Sequence, residues 1–339
     1  MLSKGDLNSR NPLRGLAISV LVIGGLALAL LGASIGVSYR VNNAEVPFPS
    51  QVEIEQSQLK AIGWIKAHES EVLDTENAAL WWMLRDSAAL TGNAYLVGLY
   101  AKYYERYLAH NPRNGWHYLF DKESDVWLPI SELAQLPDYN QFFLYGLSCD
   151  SSLRKQSQVA KLLGADACGT IPSPTYFRDP ACVTHQLVGV RFMHQRRCED
   201  DMRTGVLIRT LQDKIVVEAT WDFRGVVDSY IQKILMLAES GAAQRIKPIW
   251  LKRVINAQRM DGGWDDFDEI FPLNRGRSFG WAGWSAHGWI WIRHPKSSFH
   301  ATAQGLYLMS LLQSHSTGAI DRPFKSVLPS NTENTSTLR

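Results

Sequence analysis

Three polar residues stand on otherwise apolar helical segments and are candidates for acid–base chemistry. His185 lies in THQL, Asp228 in VVDSY and His300 in FHATAQG. A buried histidine or carboxylate must be hydrogen-bonded, and its pKa is often shifted in a way that suits proton transfer. We predict that these three groups are catalytic and converge at one mouth of a helical ring, with Asp261 as a fourth catalytic candidate and Tyr307 binding ligand. The alternative is that each is a core group with local partners.

A segment rich in Gly, Trp and Arg, residues 271–294, is the candidate ligand-binding region. Its composition excludes a helix, so we expect a long loop, and long loops in compact domains are often functional. Indole rings can stack on sugars, and guanidinium groups can bind carboxylates. The alternative is a loop that only closes one mouth of the fold. The predicted ligand-binding residues in or beside this segment are Trp264, Trp281, Trp284, Trp289, Arg275 and Arg277.

The acidic run DDFDE at 265–269 formally matches the DDxxE metal-binding pattern of terpene synthases. It follows a Gly-Gly turn on the exported side of the chain, whereas prenyl diphosphates are inside the cell, so we reject that function. Asp265 and Asp266 stay as weak metal candidates, for which Ca²⁺ would be the fitting ion. Outside the apolar run at 15–39, the chain has no G-x-S-x-G, H-E-x-x-H, phosphate-binding loop or dinucleotide motif, and we expect no cofactor.

Four cysteines lie within one 50-residue window, and their spacing contains no C-x-x-C pair that would indicate a metal site. We therefore expect two disulfides. Cys182 and Cys198 flank a predicted helix and would be about 24 Å apart, whereas a disulfide needs Cα atoms within about 7 Å. This excludes that pair. The preferred pairing is Cys168–Cys182 with Cys149–Cys198; Cys149–Cys182 with Cys168–Cys198 stays open.

Helical periodicity and helix-end signals dominate the chain after residue 52. Gly92 ends one apolar run and Asn93 can cap the next, which is typical of an antiparallel helix hairpin. Residues 206–221 are ambiguous and could form a small β-hairpin. The predicted helices are 53–69, 76–90, 94–109, 130–135, 138–148, 151–163, 183–197, 225–239, 243–258 and 298–314.

Two of these helices indicate a layered domain. In 243–258 the apolar residues recur at helical spacing and form one face, and Lys247, Lys252 and Arg253 lie outside it. This helix should therefore be amphipathic, with one face exposed to solvent. In 298–314 the run FHATAQGLYLMSLL has no charge, so this helix should be buried on all sides. Outer helices packed around inner ones would satisfy both patterns.

Residues 258–264 read QRMDGGW, which matches the Q-x-x-D-G-G-W motif of α/α-toroid repeats. The chain thus resembles, in one motif copy, the repeats of squalene/terpene cyclases and of protein-prenyltransferase β subunits. The resemblance implies an all-α toroid of about five to six helix hairpins, in which the motif ties outer helices together and is structural. It supports a fold far more than an activity.

The N-terminal region predicts a membrane anchor. Residues 15–39 carry no charge and are long enough to cross a hydrocarbon core of about 30 Å. Basic residues precede this run, so the positive-inside rule places residues 1–14 in the cytoplasm and the bulk of the chain in the periplasm or outside the cell. The alternative is a cleaved signal peptide, but the run is long for one. We expect a linker at 40–52, an exported helical domain at 53–316 and a flexible tail at 317–339.

Charge excludes one class of partner. Residues 1–39 contain three of the 35 basic and one of the 33 acidic side chains, which leaves the rest of the chain with 32 of each. A neutral domain has no electrostatic footprint for nucleic acid. We expect a membrane-anchored domain that acts on or binds cell-envelope carbohydrate. The alternatives are a scaffold or assembly protein that binds an envelope partner and, more weakly, a terpenoid cyclase-like enzyme.

Overall fold

The computed structural model describes residues 12–111, 115–120, 136, 138–222, 226–282 and 290–316, and this part of the chain is mainly helical. The helices are α1 (Pro12–Asn42), α2 (Gln51–Ala67), α3 (Glu69–Leu73), α4 (Ala78–Thr91), α5 (Ala94–Tyr103, continued by a π-helical turn at Tyr104–Leu108), α6 (His117–Phe120), α7 (Asp138–Ser148), α8 (Ser151–Arg154), α9 (Ser157–Leu162), α10 (Pro174–Arg178), α11 (Cys182–Arg196), α12 (Asp201–Trp221), α13 (Asp228–Glu239), α14 (Pro248–Asn256) and α15 (Phe299–Ser316).

Short strands join α14 to α15. β1 (Trp264–Asp265) pairs antiparallel with β5 (Ser297–Ser298), immediately before α15. Between them, β2 (Phe267–Pro272), β3 (Ser278–Ala282) and β4 (Ile290–Arg293) form an antiparallel sheet in the order β2-β3-β4. We call β2, β3 and β4, with the connection of β2 to β3, the aromatic hairpin.

Side-chain caps begin several helices, and at Asn93 the sequence predicts one. Ser50 and Glu53 form a reciprocal capping box at the start of α2. Gly92 ends α4 in the left-handed conformation with φ 66°, and the Asn93 side chain accepts from the Leu96 amide to begin α5. The predicted α4–α5 hairpin is therefore confirmed.

Two secondary-structure predictions are corrected. Residues 206–221, which could have formed a β-hairpin, belong to the 21-residue helix α12. Residues 271–294, expected as a loop, contribute to β2, β3 and β4, because cross-strand pairing over this distance leaves only a weak local pattern. The helix predicted at 130–135 and the tail at 317–339 lie outside the described residues.

Burial separates two sets of helices. α4, α7, α11, α13 and α15 are buried over most of their residues, and every residue of α13 from Asp228 to Ala238 is buried. Helices with an exposed face pack against them: α2 on α15, α5 on α4, α9 on α7, α12 on α11 and α13, and α14 on α13. The buried helices also contact one another in the sequence α4–α15–α13–α11–α7, and the short α6 contacts both α7 and α4.

The Q-x-x-D-G-G-W motif connects α2, α14 and α15. The Gln258 amide donates to the backbone carbonyls of Ser57 and Gly262, at 2.8 Å each. Trp264 is completely buried, its indole N–H donates to the Val254 carbonyl at 2.7 Å, and its ring lies over Gly305 of α15. The motif therefore links these three helices through hydrogen bonds and packing.

Disulfides join Cys149 to Cys198 and Cys168 to Cys182, which is the preferred pairing. The first joins the C-terminal end of α7 to that of α11. The second closes the Pro-rich loop that contains α10 and fixes it to the start of α11. Both bridges hold α11, the helix that carries His185.

The C-terminal end of the N-terminal helix α1 packs directly against the domain. Its segment Ser19–Asn42 has a mean hydropathy of 2.4 and none of its most apolar window is buried, so it is long and apolar enough to cross a membrane. Asn42, in contrast, is completely buried: its amide donates to the Asp222 carbonyl at 2.8 Å, and its carbonyl accepts from the Trp250 indole at 2.8 Å. Pro49 is also buried, so the predicted linker at 40–52 lies against the domain.

Beneath this joint lies a buried ion pair. Lys233 of α13 is fully buried, and its ammonium group donates to Asp222 at 2.5 Å and to the Tyr176 hydroxyl at 3.0 Å. A buried ammonium group is tolerated only when it is paired and hydrogen-bonded in this way.

The contact between Gly305 and Trp264 leads to a stability prediction. A Cβ atom on Gly305 would lie 2.6 Å from two ring carbons of Trp264, so Gly305→Ala should destabilise the fold by about 1–3 kcal/mol through overpacking. The matched control is Gly63→Ala in α2, where a Cβ atom meets nothing within 4 Å. That change should stabilise the helix by about 0.5–1 kcal/mol. Denaturant unfolding of both variants tests this; equal effects would contradict the packing role of Trp264.

Candidate functional site

The N-terminal ends of α7, α11, α13 and α15 carry the polar residues that the sequence singles out. Asp228 is the first residue of α13, His300 the second of α15 and His185 the fourth of α11, while Tyr139 is the second of α7. These residues define what we call the mouth.

His300 and Asp228 are in direct contact. His300 Nδ1 lies 3.4 Å from Asp228 Oδ2, and the Asp228 carboxylate also accepts from the Ser229 amide at 2.7 Å. The amide nitrogen of Gln304 lies 3.2 Å from His300 Nε2. With the Gln304 amide N–H as donor to Nε2, Nδ1 would carry the hydrogen and could donate it to Asp228. The His300 side chain is 40% exposed and Asp228 is buried, so the pair presents an oriented imidazole to solvent.

His185 lies on the inner side of the same mouth. Its Nδ1 donates to the Ala181 carbonyl at 2.9 Å, and its ring stacks on Tyr139 with centroids 4.7 Å apart. Burial, reinforced by the nearby His300, lowers the pKa of His185 to about 4, although the Ala181 carbonyl opposes the shift. His185 is therefore neutral at physiological pH. The mouth thus combines one neutral imidazole with one that contacts a carboxylate.

A second polar group lies deeper, between α4 and α15. Arg85 makes a two-nitrogen contact with Asp86 at 2.7 and 2.8 Å, and the Tyr307 hydroxyl lies 3.4 Å from the other carboxylate oxygen. Burial raises the pKa of Asp86, against the effect of Arg85, and raises that of Tyr307 further above its ordinary value. Tyr307 also meets Trp82 edge-to-face. It is therefore an interior residue bonded to Asp86, one that lies two turns along α15 from His300.

The opposite ends of α11 and α13 enclose a separate cleft. Arg191 forms an ion pair with Glu239, the last residue of α13, and burial lowers the pKa of the arginine to about 10. The open cleft beside them has a volume of about 430 Å³ and includes His194, Gln195 and Arg209. It lies at the far ends of the helices that carry His185 and Asp228.

The aromatic hairpin rises from the same end of the fold as the mouth, because β5 leads directly into His300. Arg293 of β4 pairs with Asp265 at 3.0 Å and with Asp266, and this contact fixes the base of the hairpin. Burial raises the pKa of Asp265 to about 6, with Asp266 adding to the shift and Arg293 and Arg259 opposing it. The two weak metal candidates are thus partners of arginine. In the described ranges no group of three or more His, Cys, Asp or Glu side chains is arranged to hold a metal ion.

Several other predicted site residues have structural positions. Asp261 accepts from the Gly263 amide at 3.1 Å and from the Ser297 hydroxyl at 2.7 Å, which holds the motif turn against β5. Trp264 was predicted to bind ligand, and this is corrected: a completely buried ring is not accessible to one. Trp281 belongs to β3, whereas Trp284 and Trp289 lie outside the described residues. Arg275 and Arg277 are exposed at the connection of β2 and β3.

Sequence reasoning missed the interior charges. Arg85 and Asp86 stand next to each other in the apolar run LWWMLRDSAAL, and Lys233 stands in IQKILML. A charge within a segment that is apolar all round is a signal for a buried pair. Arg191 gave no such signal, because the end of α11 is rich in basic residues.

The lowered pKa of His185 predicts acid sensitivity. Between pH 6.5 and pH 4 the unfolded chain binds a proton at this residue and the folded chain does not, so stability present above pH 6.5 is lost as the pH falls. His185→Gln should remove up to about 3 kcal/mol of this pH dependence. Unfolding free energies measured at pH 7, 5.5 and 4.5 test it, with the exposed His110→Gln as control for loss of a histidine. Parallel profiles for His185→Gln and the wild type would contradict the assignment.

Comparison of the chain with protein-family models, with curated proteins and with solved structures finds no match. Function is therefore inferred from the residues of the mouth and from the elements that surround it.

Proposed function

We propose that the protein is a membrane-anchored, exported helical domain whose mouth carries out acid–base chemistry on cell-envelope carbohydrate. The observation that carries this proposal is the contact of His300 with Asp228, at 3.4 Å. A carboxylate that orients a half-exposed imidazole is the usual arrangement of a general base or acid. His185 lies close enough to influence the same charge, and it supplies a second, neutral imidazole.

In the proposed reaction His300 acts as the base through Nε2, the ring nitrogen that lies 3.2 Å from the Gln304 amide nitrogen, while Nδ1 faces Asp228. A substrate hydroxyl or an activated C–H would take the place of that amide at Nε2. Asp228 would then stabilise the imidazolium that forms. Asp86, Arg85 and Tyr307 lie behind this position and favour a polar ligand over a hydrocarbon.

The substrate class is inferred from the surroundings of the mouth. Tyr139 and Phe143 flank His185, and the aromatic hairpin begins directly beside His300. Aromatic rings next to hydrogen-bonding groups suit the alternating apolar faces and hydroxyls of a sugar. Neutral net charge in the domain argues against nucleic acid, as the composition already indicates.

We further propose that the buried helices close into an α/α ring. In its support, each buried helix is preceded or followed by one with an exposed face, and the contacts run from α4 through α15, α13, α11 and α7 back to α4 by way of α6. In this arrangement the five buried helices are parallel and their N-terminal ends surround the mouth. Partial positive charge at those ends favours Asp228 as an anion.

The apolar α1 and the two disulfides support the proposed location. An apolar N-terminal helix fits a membrane or signal anchor, and disulfides persist outside the cytoplasm. We propose retention of α1 in the plasma or inner membrane, with the N-terminus cytoplasmic and the domain exported.

Turnover of glycans tests the proposed chemistry. Full-length protein in nanodiscs is incubated with soluble peptidoglycan fragments and with neutral and uronic-acid oligosaccharides, and the products are analysed by mass spectrometry. A hydrolase adds one water per bond broken, whereas a lyase leaves an unsaturated sugar without water. His300→Ala and Asp228→Asn should lower the initial rate by about 10²-fold or more.

The control is His110→Ala, an exposed histidine on the π-helical end of α5, which should leave the rate unchanged. Equal rates in His300→Ala and the wild type would contradict the catalytic role. If the wild type neither alters nor binds any glycan, the carbohydrate proposal is wrong, and the scaffold alternative gains support.

A further inference from the structure

The aromatic hairpin exposes large apolar side chains to solvent. Five such side chains lie on β2, on β4 and on the connection of β2 to β3, which we call the tip. They are between 37% and 54% exposed: Ile270, Phe271, Leu273, Trp291 and Ile292. Phe271 stacks on Phe279 of the neighbouring strand with centroids 4.7 Å apart, which keeps the sheet rigid. An apolar cluster of this kind on a protruding element marks an interaction surface.

The tip of the hairpin is basic. The acidic side chains Asp268 and Glu269 lie at the start of β2 and Arg293 is paired with Asp265 and Asp266 at the base, whereas the tip carries Arg275 and Arg277 and no acidic side chain. Arg275 and Arg277 are exposed at the tip of the hairpin, on either side of Gly276 and next to the exposed Leu273. Apolar and basic side chains alternating at one tip suit the boundary between acyl chains and anionic headgroups.

The hairpin and α1 leave the domain at the same end. Asn42, the last residue of α1, bonds to Asp222, which precedes α13 by a short connection. The hairpin ends at Arg293, and β5 follows it and precedes His300, which contacts Asp228 at the start of α13. Both elements are therefore attached around the N-terminal ends of α13 and α15.

A second aromatic contact marks the membrane boundary on α1 itself. Tyr39, near the end of α1, packs against Trp221, the last residue of α12, with ring centroids 4.4 Å apart. Trp221 remains 41% exposed, and Val217 one turn earlier is 39% exposed. Tyr and Trp are enriched at the level of the headgroups. None of the most apolar window of α1 is buried, so this part of the helix is available to the bilayer.

From these observations we propose that the aromatic hairpin is a second membrane contact, which inserts its tip into the anionic leaflet beside α1. The proposal rests on α1 as a retained anchor and is independent of any catalysis at the mouth. Two attachment points, α1 on one side and the hairpin tip on the other, would hold the mouth facing the bilayer surface. A ligand would then reach His300 from the membrane side, which suits a sugar carried on a lipid.

Fluorescence quenching by lipid tests the contact. Leu273→Cys is labelled with an environment-sensitive dye in the full-length protein; the four native cysteines are all in disulfides, so the introduced thiol is the only one that reacts. The protein is placed in nanodiscs of phosphatidylcholine with phosphatidylglycerol, including lipids spin-labelled near the headgroup. We expect quenching of at least several-fold at position 273.

The matched control is Met202→Cys, a 76% exposed position in the first turn of α12, one helix length of about 30 Å from Trp221. Its dye should be unquenched. Arg275→Glu with Arg277→Glu, added to the Leu273→Cys protein, should reduce quenching several-fold, as should replacement of phosphatidylglycerol by phosphatidylcholine. Equal quenching at 273 and 202, no quenching at 273, or indifference to the charge reversal would each overturn the proposal.

Discussion

The buried ammonium group of Lys233 is the constraint on which the arrangement of the helices depends. It lies at zero exposure on α13, where it donates to Asp222 and to the Tyr176 hydroxyl, and such pairing offsets the cost of burying a charge. Asp222 follows α12, and its carbonyl receives the Asn42 side chain at the end of α1. Tyr176 comes from α10, in the loop closed by Cys168–Cys182. One desolvated charge thus fixes where α1, α10, α12 and α13 meet.

The position of the mouth follows from this meeting point. Asp228 begins α13 a few residues after Asp222, so the elements that satisfy Lys233 also place the Asp228 carboxylate. α15 packs along α13 and brings His300 to it. Trp264 holds α15 from the other side, against α2 and α14. The catalytic candidates are therefore held by packing on both faces of α15, and little of their geometry depends on loops.

Much of the helical framework could be predicted, because its signals are local. Gly92 with Asn93, and Ser50 with Glu53, specify helix ends within a few residues. The helix between Cys182 and Cys198 excluded that pair, and of the two pairings left open the preferred one is observed. The aromatic hairpin was not recognised, since β2 pairs with β3 and β3 with β4 through contacts that no local period records. Apolar and polar residues alternate in 206–221, which suggests a strand. The segment is nevertheless a helix, and one of its faces packs against α11 and α13.

Some of the candidate site residues could also be predicted from the sequence, and others could not. Single polar residues at the starts of apolar helices, His185, Asp228 and His300, were visible in the sequence. The pairing of Asp86 with Tyr307 joins positions 221 residues apart, and Arg191 with Glu239 joins two helix ends; neither can be inferred before the helices are placed. Trp264 is an error of another kind. Its ring was predicted to bind ligand because it stands next to the predicted loop, but the ring is buried in the core.

The rigid junction at Asn42 has a consequence for how the protein would meet other molecules. A domain attached through many unstructured residues samples a wide volume and can collect partners from solution. Here the last residue of the apolar helix, Asn42, is itself buried in the domain. The helix and the domain would therefore tilt together in the membrane. Encounters would then be governed by lateral diffusion in two dimensions, at a fixed height and orientation.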